Sequence, residues 1–363
     1  MVKHKVIQAV AGAGKTYAIT HNLDSDKRYL FLTYTNGNVS NLQRGLVDSH
    51  ADANKYIVST FPKFIIDWVI NPFKPVLVPE GVDAYIGFSS YPPVDDSREP
   101  GYYTQDKVRH YLDRWKYLYL SRISGLAIYQ KSNDKKFWDK VFERLSKFVD
   151  EVVVDEYQDL TGKDLKILAQ LMKQKYVDVT LVGDVYQSQV QKSEQKTVAP
   201  YSGSWQDIEQ VLYKTFGKRI EIDTESMKVS RRIGHGVARF IQDKLDIAIT
   251  SDGRHVGEVH ISKSVEDVET ILGKKPIILV WDSKIKVPKE FVSLNWGYSK
   301  GDTLSLVLIV LTKVTENYLF HSHDDTLNSG TRNKLYVALS RSENDVHLVT
   351  SDLWKTYLKH KNI

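Results

Sequence analysis

The chain has 363 residues, 42% of them hydrophobic and 26% charged, with 20 Gly and 10 Pro. That balance excludes a collagen-like or broadly disordered polymer and suits two globular domains at about 100–200 residues each. No apolar run approaches the roughly 18 residues that span a bilayer, the N-terminal MVKHKVIQAVAG lacks the pattern of a secretory signal, and Cys is absent. Disulfides and thiolate metal sites are therefore excluded, and a soluble cytoplasmic protein is expected.

In chain order, a strand at 5–10 runs into a Gly-rich turn and a helix from Lys15. Strands at 28–33 and 55–59 follow, then an irregular Pro-rich connection from 72 to 100. A helix is predicted from Thr104 to about Tyr129 and another over 134–148, with Phe137, Val141, Leu145 and Phe148 on one face. Strands at 151–155 and 178–182 flank a helix at 164–175. The alternation then restarts, with strands at 219–222, 257–261, 276–281, 304–311 and 345–350 and helices at 234–245, 265–272 and 331–339. Buried strands alternating with helices imply parallel sheets covered on both faces. The expected fold is α/β: two tandem parallel-sheet domains, residues 1–65 with 149–212 and residues 213–363. A basic helical insertion over 66–148 interrupts the first.

The formal net charge is +5, and residues 101–150 alone carry eleven Lys/Arg against six acids, an excess equal to that of the whole chain. Eleven aromatic residues are interleaved there, among them Tyr111, Trp115, Tyr117, Tyr119, Phe137 and Trp138. Cations among rings suit a phosphodiester strand with exposed bases; an amphipathic segment with its rings in a core is the alternative.

Three motifs carry chemistry. The first is Ala9-Val10-Ala11-Gly12-Ala13-Gly14-Lys15-Thr16. A Gly-rich turn between strand and helix lets the backbone N–H groups of Ala11 to Thr16 wrap a polyphosphate. Lys15 then reaches the terminal phosphates, Thr16 ligates Mg²⁺, and Tyr17 follows on the first helical turn. Ala9 stands where the general pattern has Gly. The second, Val152-Val153-Val154-Asp155-Glu156, delivers two acids at the end of a buried strand: Asp155 to hold the metal, Glu156 to polarise an attacking water. The third is Gly183-Asp184-Val185-Tyr186-Gln187, whose neutral Gln187 amide can sense a γ-phosphate.

In this order the motifs resemble superfamily 1 DNA helicases of the UvrD/Rep/PcrA type, in a minimal version, along nearly the whole chain. Thr33-Tyr34-Thr35-Asn36 and Ser59-Thr60-Phe61 look like the family's strand-contacting segments, which implies nucleic-acid contacts at Tyr34, Thr35, Asn36, Thr60 and Phe61. Val229-Ser230-Arg231-Arg232 resembles the segment with the first arginine finger, which implies Arg232 in that role and Arg231 where the family stacks a tyrosine on the base. Tyr298-Ser299-Lys300-Gly301-Asp302-Thr303 is similar to the coupling motif and implies that Tyr298 and Lys300 meet the strand; Leu335-Tyr336-Val337-Ala338-Leu339-Ser340-Arg341 implies a second finger at Arg341.

The departures are equally specific. No adenine-reading glutamine segment is found among the eight residues before Ala9, and Ser188-Gln189-Val190-Gln191-Lys192 replaces the family's base-stacking run, with Tyr201 or Trp205 as substitutes. Thr303 and Gly297 replace the coupling motif's Glu and upstream His, and only 66 positions separate Arg232 from Tyr298, too few for the family's large accessory domain. His321-Ser322-His323-Asp324-Asp325 has metal-ligand residue types but reads as an exposed loop.

The resemblance implies an ATP- and Mg²⁺-dependent translocase or helicase moving 3′ to 5′ on single-stranded DNA or a tailed duplex, with RNA also open as a track. Hydrolysis in an interdomain cleft would be coupled to stepping. A non-unwinding DNA-sensing ATPase subunit of a nuclease-containing repair or antiviral-defence complex is the alternative.

Overall fold

The computed structural model describes residues 2–188, 200–297, 299–320 and 327–362. The chain divides into two compact units. One comprises Met1–Val6, Thr16–Val182 and Glu209–Ile222, and the other Ile7–Lys15, Gly183–Ile208 and Asp223–Ile363. Both are α/β with parallel strands, as the alternating pattern predicts. None of the described helices is long and apolar enough to cross a membrane.

The strands of the first unit are β1 (His4–Ala9), β2 (Tyr29–Thr33), β3 (Tyr56–Thr60), β4 (Gly87–Ser89), β5 (Tyr117–Tyr119), β6 (Glu151–Asp155), β7 (Asp178–Gly183) and β8 (Glu221–Met227); β1, β7 and β8 run on along the chain into the second. A six-stranded sheet has the order β3-β2-β6-β7-β1-β8. The strand read at 219–222 is β8, at its edge. Every residue of β2 is buried, and β6 inserts Val152, Val153 and Val154 into the core, the continuous apolar run of a parallel strand covered on both faces. Register aligns Thr33 with Thr60, Leu32 with Val154 and Asp155 with Val182, so Thr33, Thr60 and Asp155 share the carboxyl edge of the sheet. In open α/β sheets that is the edge on which ligands are held.

The insertion departs from the predicted helix over 104–129. The chain instead makes a short turn at Val108–His110, strand β5, and a helix only from Ile123 to Asn133. The cause is local. Asp113 accepts the N–H groups of Trp115 (2.8 Å) and Tyr117 (2.9 Å), Lys116 takes a left-handed φ of 65°, and Tyr119 N–H donates to Tyr111 O at 2.9 Å. A carboxylate that gathers N–H groups two and four residues on closes a reversal no helix can pass through. The second predicted helix forms over Phe137–Leu145 with Phe137, Val141 and Leu145 buried, but Phe148 lies beyond its end and is exposed.

Helices at Asn36–Asp48, Trp205–Phe216, Lys313–Phe320 and Ser351–His360 are additions to the sequence reading. The second unit also holds β9 (Val229–Ser230), β10 (Thr250–Ser251), β11 (Val259–Ile261), β12 (Ile277–Val280), β13 (Ser293–Asn295), β14 (Val307–Val310) and β15 (Val346–Val349). A parallel sheet of order β11-β15-β14-β12-β13 results, with β9 and β10 as a separate pair. Val268, Ile271 and Leu272 of the helix Val265–Gly273 and Trp354, Tyr357 and Leu358 of the last helix pack with Ile278, Leu308 and Val349 in one core.

Three histidines give this fold a defined response to acid. Burial holds His4, His110 and His347 below the ordinary imidazole range, helped by Arg122 beside His110 and by the His260 ring 5.0 Å from His347. The unfolded chain therefore binds more protons in the window that opens near pH 6.5 and extends down to the folded-state values. Stability should fall as pH drops through that window. A melting temperature lower at pH 5.5 than at pH 7.5 is the expected result, and an equal or higher one would contradict it.

Candidate phosphate-binding site

The second unit contains the Gly-rich loop that follows β1. Val10 N–H donates to Met227 O (2.9 Å) and Ala13 N–H to Val10 O (3.2 Å), which ties the loop at its root. Gly12 and Gly14 have φ of +74° and +79°, the left-handed region that only glycine enters freely. Gly12 is also required for space, since a Cβ there would stand 2.7 Å from both Arg232 Cβ and Ser230 Oγ. The strand-end segment Ser230-Arg231-Arg232 thus lies directly against the loop, with Arg231 N–H donating to Gly12 O at 2.9 Å. The Arg231 guanidinium comes within 3.5 Å of where a Cβ on Gly14 would be. Two left-handed glycines, a run of loop N–H groups and an arginine laid over them form a cradle suited to a polyphosphate.

Beneath the loop sits a wholly buried carboxylate. Asp184 accepts four hydrogen bonds: Gln8 Nε2 (3.2 Å) and Tyr186 N–H (3.1 Å) on one oxygen, Gln187 Nε2 (2.8 Å) and Tyr336 OH (3.0 Å) on the other. The Tyr336 hydroxyl accepts in turn from the Ala11 N–H of the phosphate loop at 2.8 Å. Asp184 therefore couples Gln187, Tyr336 and the loop in one chain of bonds. Burial, and then the adjoining carboxylate, push the Tyr336 phenol far above its ordinary value, so it remains a donor.

The two arginines differ. Arg341 is buried: Nε donates to Val337 O (2.9 Å), Nη1 to Ser299 O (3.3 Å) and Asp302 O (3.2 Å), and Nη2 to Ser340 Oγ (3.3 Å). Burial first, and then the charge of Arg232, push its guanidinium down to about 9. Arg232 makes one long bond, from Nη1 to Ser340 O at 3.4 Å, and is lowered by burial as well. A pair of cations with too few counter-charges is a place that gains from an arriving anion.

In the first unit, Asp155 ends β6 almost fully buried and accepts the Glu156 N–H at 3.0 Å. Glu156 has a left-handed backbone (φ 56°, ψ 39°), and its carboxylate accepts from Gln158 Nε2. Thr16 and Tyr17 lie on the first turn of the helix Lys15–His21, where the exposed Tyr17 ring stacks on His21 at 3.8 Å. A carboxylate at a sheet edge and a hydroxyl on the helix that follows Lys15 are the hard oxygen donors a magnesium–nucleotide complex takes.

No protein-family model matches the chain, and no curated protein matches it in sequence. Among the solved structures similar to it are three helicases. PRRSV helicase is 13% identical with a TM-score of 0.44, over 96% of this chain and 52% of its own. Arterivirus nonstructural protein 10 (helicase) in complex with DNA is 12% identical with a TM-score of 0.48, over 99% and 63%. A crystal structure of the arterivirus nonstructural protein 10 helicase gives 13% and 0.48, over 99% and 62%. The chain spans 52% to 63% of the length of these helicases.

Of the residues expected to meet a strand, Thr35 and Asn36 are exposed; Thr35 caps the helix Asn36–Asp48 by accepting from Asn38 N–H at 3.2 Å. Tyr34 is half-buried, and burial followed by Asp164 and Asp159 raises its phenol. Thr60 caps the next short helix, and Phe61 is wholly buried against Phe64 with ring centroids 5.9 Å apart. Lys300 is half-buried in the second unit; Tyr298 and the segment His321 to Asp325 lie outside the described residues. Tyr201 is buried, which removes its ring from any base, whereas Trp205 lines a cavity of about 540 Å³ with Gln8, Val10, Tyr186 and Lys228. Sequence reasoning missed Gln8 and Tyr336 as partners of Asp184. The available signal was a polar residue inside the apolar strand before the loop, and a tyrosine one residue into the last motif.

Proposed function

We propose that this chain is an ATP- and Mg²⁺-dependent motor that moves along single-stranded nucleic acid, a translocase or helicase with 3′ to 5′ polarity. The observation that supports it best is the loop around Gly12 and Gly14, with Arg231 over it and Arg232 against it. The Lys15 ammonium and the backbone N–H groups of Gly12, Gly14, Lys15 and Thr16 bind the phosphates, those of Ala11 and Ala13 being taken by Tyr336 and Val10; Thr16 and Asp155 would hold the metal, which would screen the phosphate charge. Glu156 orients and deprotonates the attacking water, Gln187 sits by the terminal phosphate, and Arg232 neutralises charge that develops on it. Arg341 donates to the hydroxyl of Ser340, the residue whose carbonyl accepts from Arg232, and so positions Arg232 from behind. On the first unit Tyr34, Thr35, Asn36 and Thr60 meet the strand, with Phe61 as the packing beneath them; on the second, Tyr298 and Lys300 do so.

The test is nucleotide hydrolysis with and without oligonucleotide. Hydrolysis stimulated by single-stranded DNA or RNA is expected, and it should fall at least about a hundredfold in Lys15→Ala and in Glu156→Gln. An unstimulated rate that survives both substitutions would sink the reading. Tailed duplexes with 3′ and 5′ tails then settle polarity and unwinding.

A further inference from the structure

Away from the phosphate loop, the insertion of the first unit contains an open cleft of about 680 Å³. Its composition is unusual for a surface. Among the described residues seven aromatic side chains are exposed, and five of them, Phe88, Tyr91, Tyr103, Trp115 and Tyr117, line this one cleft; only Tyr17 and Phe148 lie elsewhere. Tyr91 is 81% and Trp115 62% exposed. Rings left in water cost free energy, and their concentration in one cleft marks a surface that something apolar and flat covers.

The cleft is also built rather than accidental. Gly87 on β4 lies opposite Tyr117 on β5, and a Cβ at 87 would come within 2.8 Å of the Tyr117 ring, so glycine is what lets that ring lie flat on the neighbouring strand. The turn from Asp113 to Tyr117 holds Trp115 at the rim, with the Arg114 guanidinium over its indole at 4.6 Å from the centroid. Arg109 lines the same cleft, is exposed, and has no carboxylate partner among the described residues. The floor is polar and already engaged: Arg122 donates to His110 and to Asp95, and Asp113 is occupied by the two N–H groups of its own turn. The net effect is a ring-lined cleft in which the guanidiniums of Arg109 and Arg114 have no carboxylate partner among the described residues, while the Asp113 carboxylate accepts from its own turn.

We propose that this cleft is a second nucleic-acid site, which takes unstacked bases of a single strand between Tyr91, Tyr103 and Trp115 while Arg109 and Arg114 hold the adjoining phosphates. Stacking explains the rings and phosphate pairing explains the arginines, and neither alone explains both. A duplex has no free base faces to offer, so the site selects single strands. The inference rests on the motor reading for its purpose but not for its test, since binding is measured without nucleotide.

The experiment uses the full chain and fluorescein-labelled oligo(dT) and oligo(U), read by anisotropy at low salt, with a blunt duplex of equal length as control. Trp115→Ala and the pair Arg109→Glu with Arg114→Glu are each expected to weaken binding of the single strand about tenfold or more. Trp115→Phe should restore most of it, and melting temperatures should match the wild type because these side chains are exposed. Photocrosslinking of oligo(dT) carrying 5-iododeoxyuridine should label residues in the 88–119 stretch. Wild-type and variant proteins that bind the strand equally, or bind the duplex as tightly as the strand, overturn the cleft and leave the motor reading standing. A wild-type chain that binds no strand at all overturns both. Thymidine monophosphate competing as well per molecule as the strand overturns the assignment to a polymer.

Discussion

Arg232→Ala should slow nucleotide hydrolysis by about a thousandfold or more and leave the melting temperature nearly unchanged, whereas Arg341→Ala should chiefly unfold the second unit. A guanidinium aimed at developing phosphate charge is worth about 10³–10⁵ in rate. Arg232 fits that role because its side chain gives the protein little: one bond of 3.4 Å to a carbonyl, in a position that burial makes unfavourable for a cation. It stands against Gly12, at the phosphate loop. Arg341 is tied to the carbonyls of Val337, Ser299 and Asp302. Removing it takes one donor from each of these carbonyls and empties the space of a wholly buried side chain, at a cost on the order of 3 kcal/mol. Lysine at 341 cannot reproduce the fork, so Arg341→Lys should recover only part of the loss. Turnover at saturating nucleotide and a thermal melt on each variant separate the two roles. Equal losses of rate at equal stability would show that both arginines act directly on phosphate.

Asp184→Ala should destabilise the second unit by about 4 kcal/mol or more, because it strips the acceptor from Tyr186, Gln187 and Tyr336 at once, each donor worth about 1–3 kcal/mol when left buried and unpaired, and leaves Gln8 with Ala9 O alone. Tyr336→Phe is the milder counterpart. It removes one donor from Asp184 and leaves the Ala11 N–H without its acceptor, so a loss of about 2 kcal/mol is expected, together with weaker nucleotide affinity. Chemical denaturation with tryptophan fluorescence reads the first effect and nucleotide titration the second. A Tyr336→Phe protein with unaltered nucleotide affinity would show that the loop holds its shape without this hydroxyl.

The strands flanking the motifs were legible because buried parallel strands are short, continuous apolar runs rich in β-branched residues, as Val152 to Val154 and Leu308 to Val310 are. The Gly-rich loop was legible because glycine at 12 and 14 answers a backbone requirement that no packing rearrangement relaxes. The insertion was not. Its rings at 111, 115 and 119 repeat at helical spacing, yet Asp113 and Lys116 turn the chain back between them. Periodicity reports which residues want the same face and is silent about a carboxylate that competes for the N–H groups. The helix Asn36–Asp48 is hidden in the sequence, although Thr35 caps it and Leu42 and Leu46 are buried four apart, because Asn-Gly at 36–37 reads as a turn. The Asp184 network lay beyond sequence reasoning altogether: its donors come from residues 8, 186, 187 and 336, and only the fold brings them to one carboxylate.

The backbone at Glu156 carries an evolutionary tension. A side chain with a Cβ occupies a left-handed conformation there (φ 56°, ψ 39°), which costs about 1 kcal/mol that glycine would not incur. Selection for heat resistance alone would drift toward Gly or Asn at this position, while selection for turnover would hold the carboxylate in place. Position 156 is where a thermostabilising library and an activity screen should disagree most sharply, and the direction of that disagreement would reveal which demand shaped the natural residue.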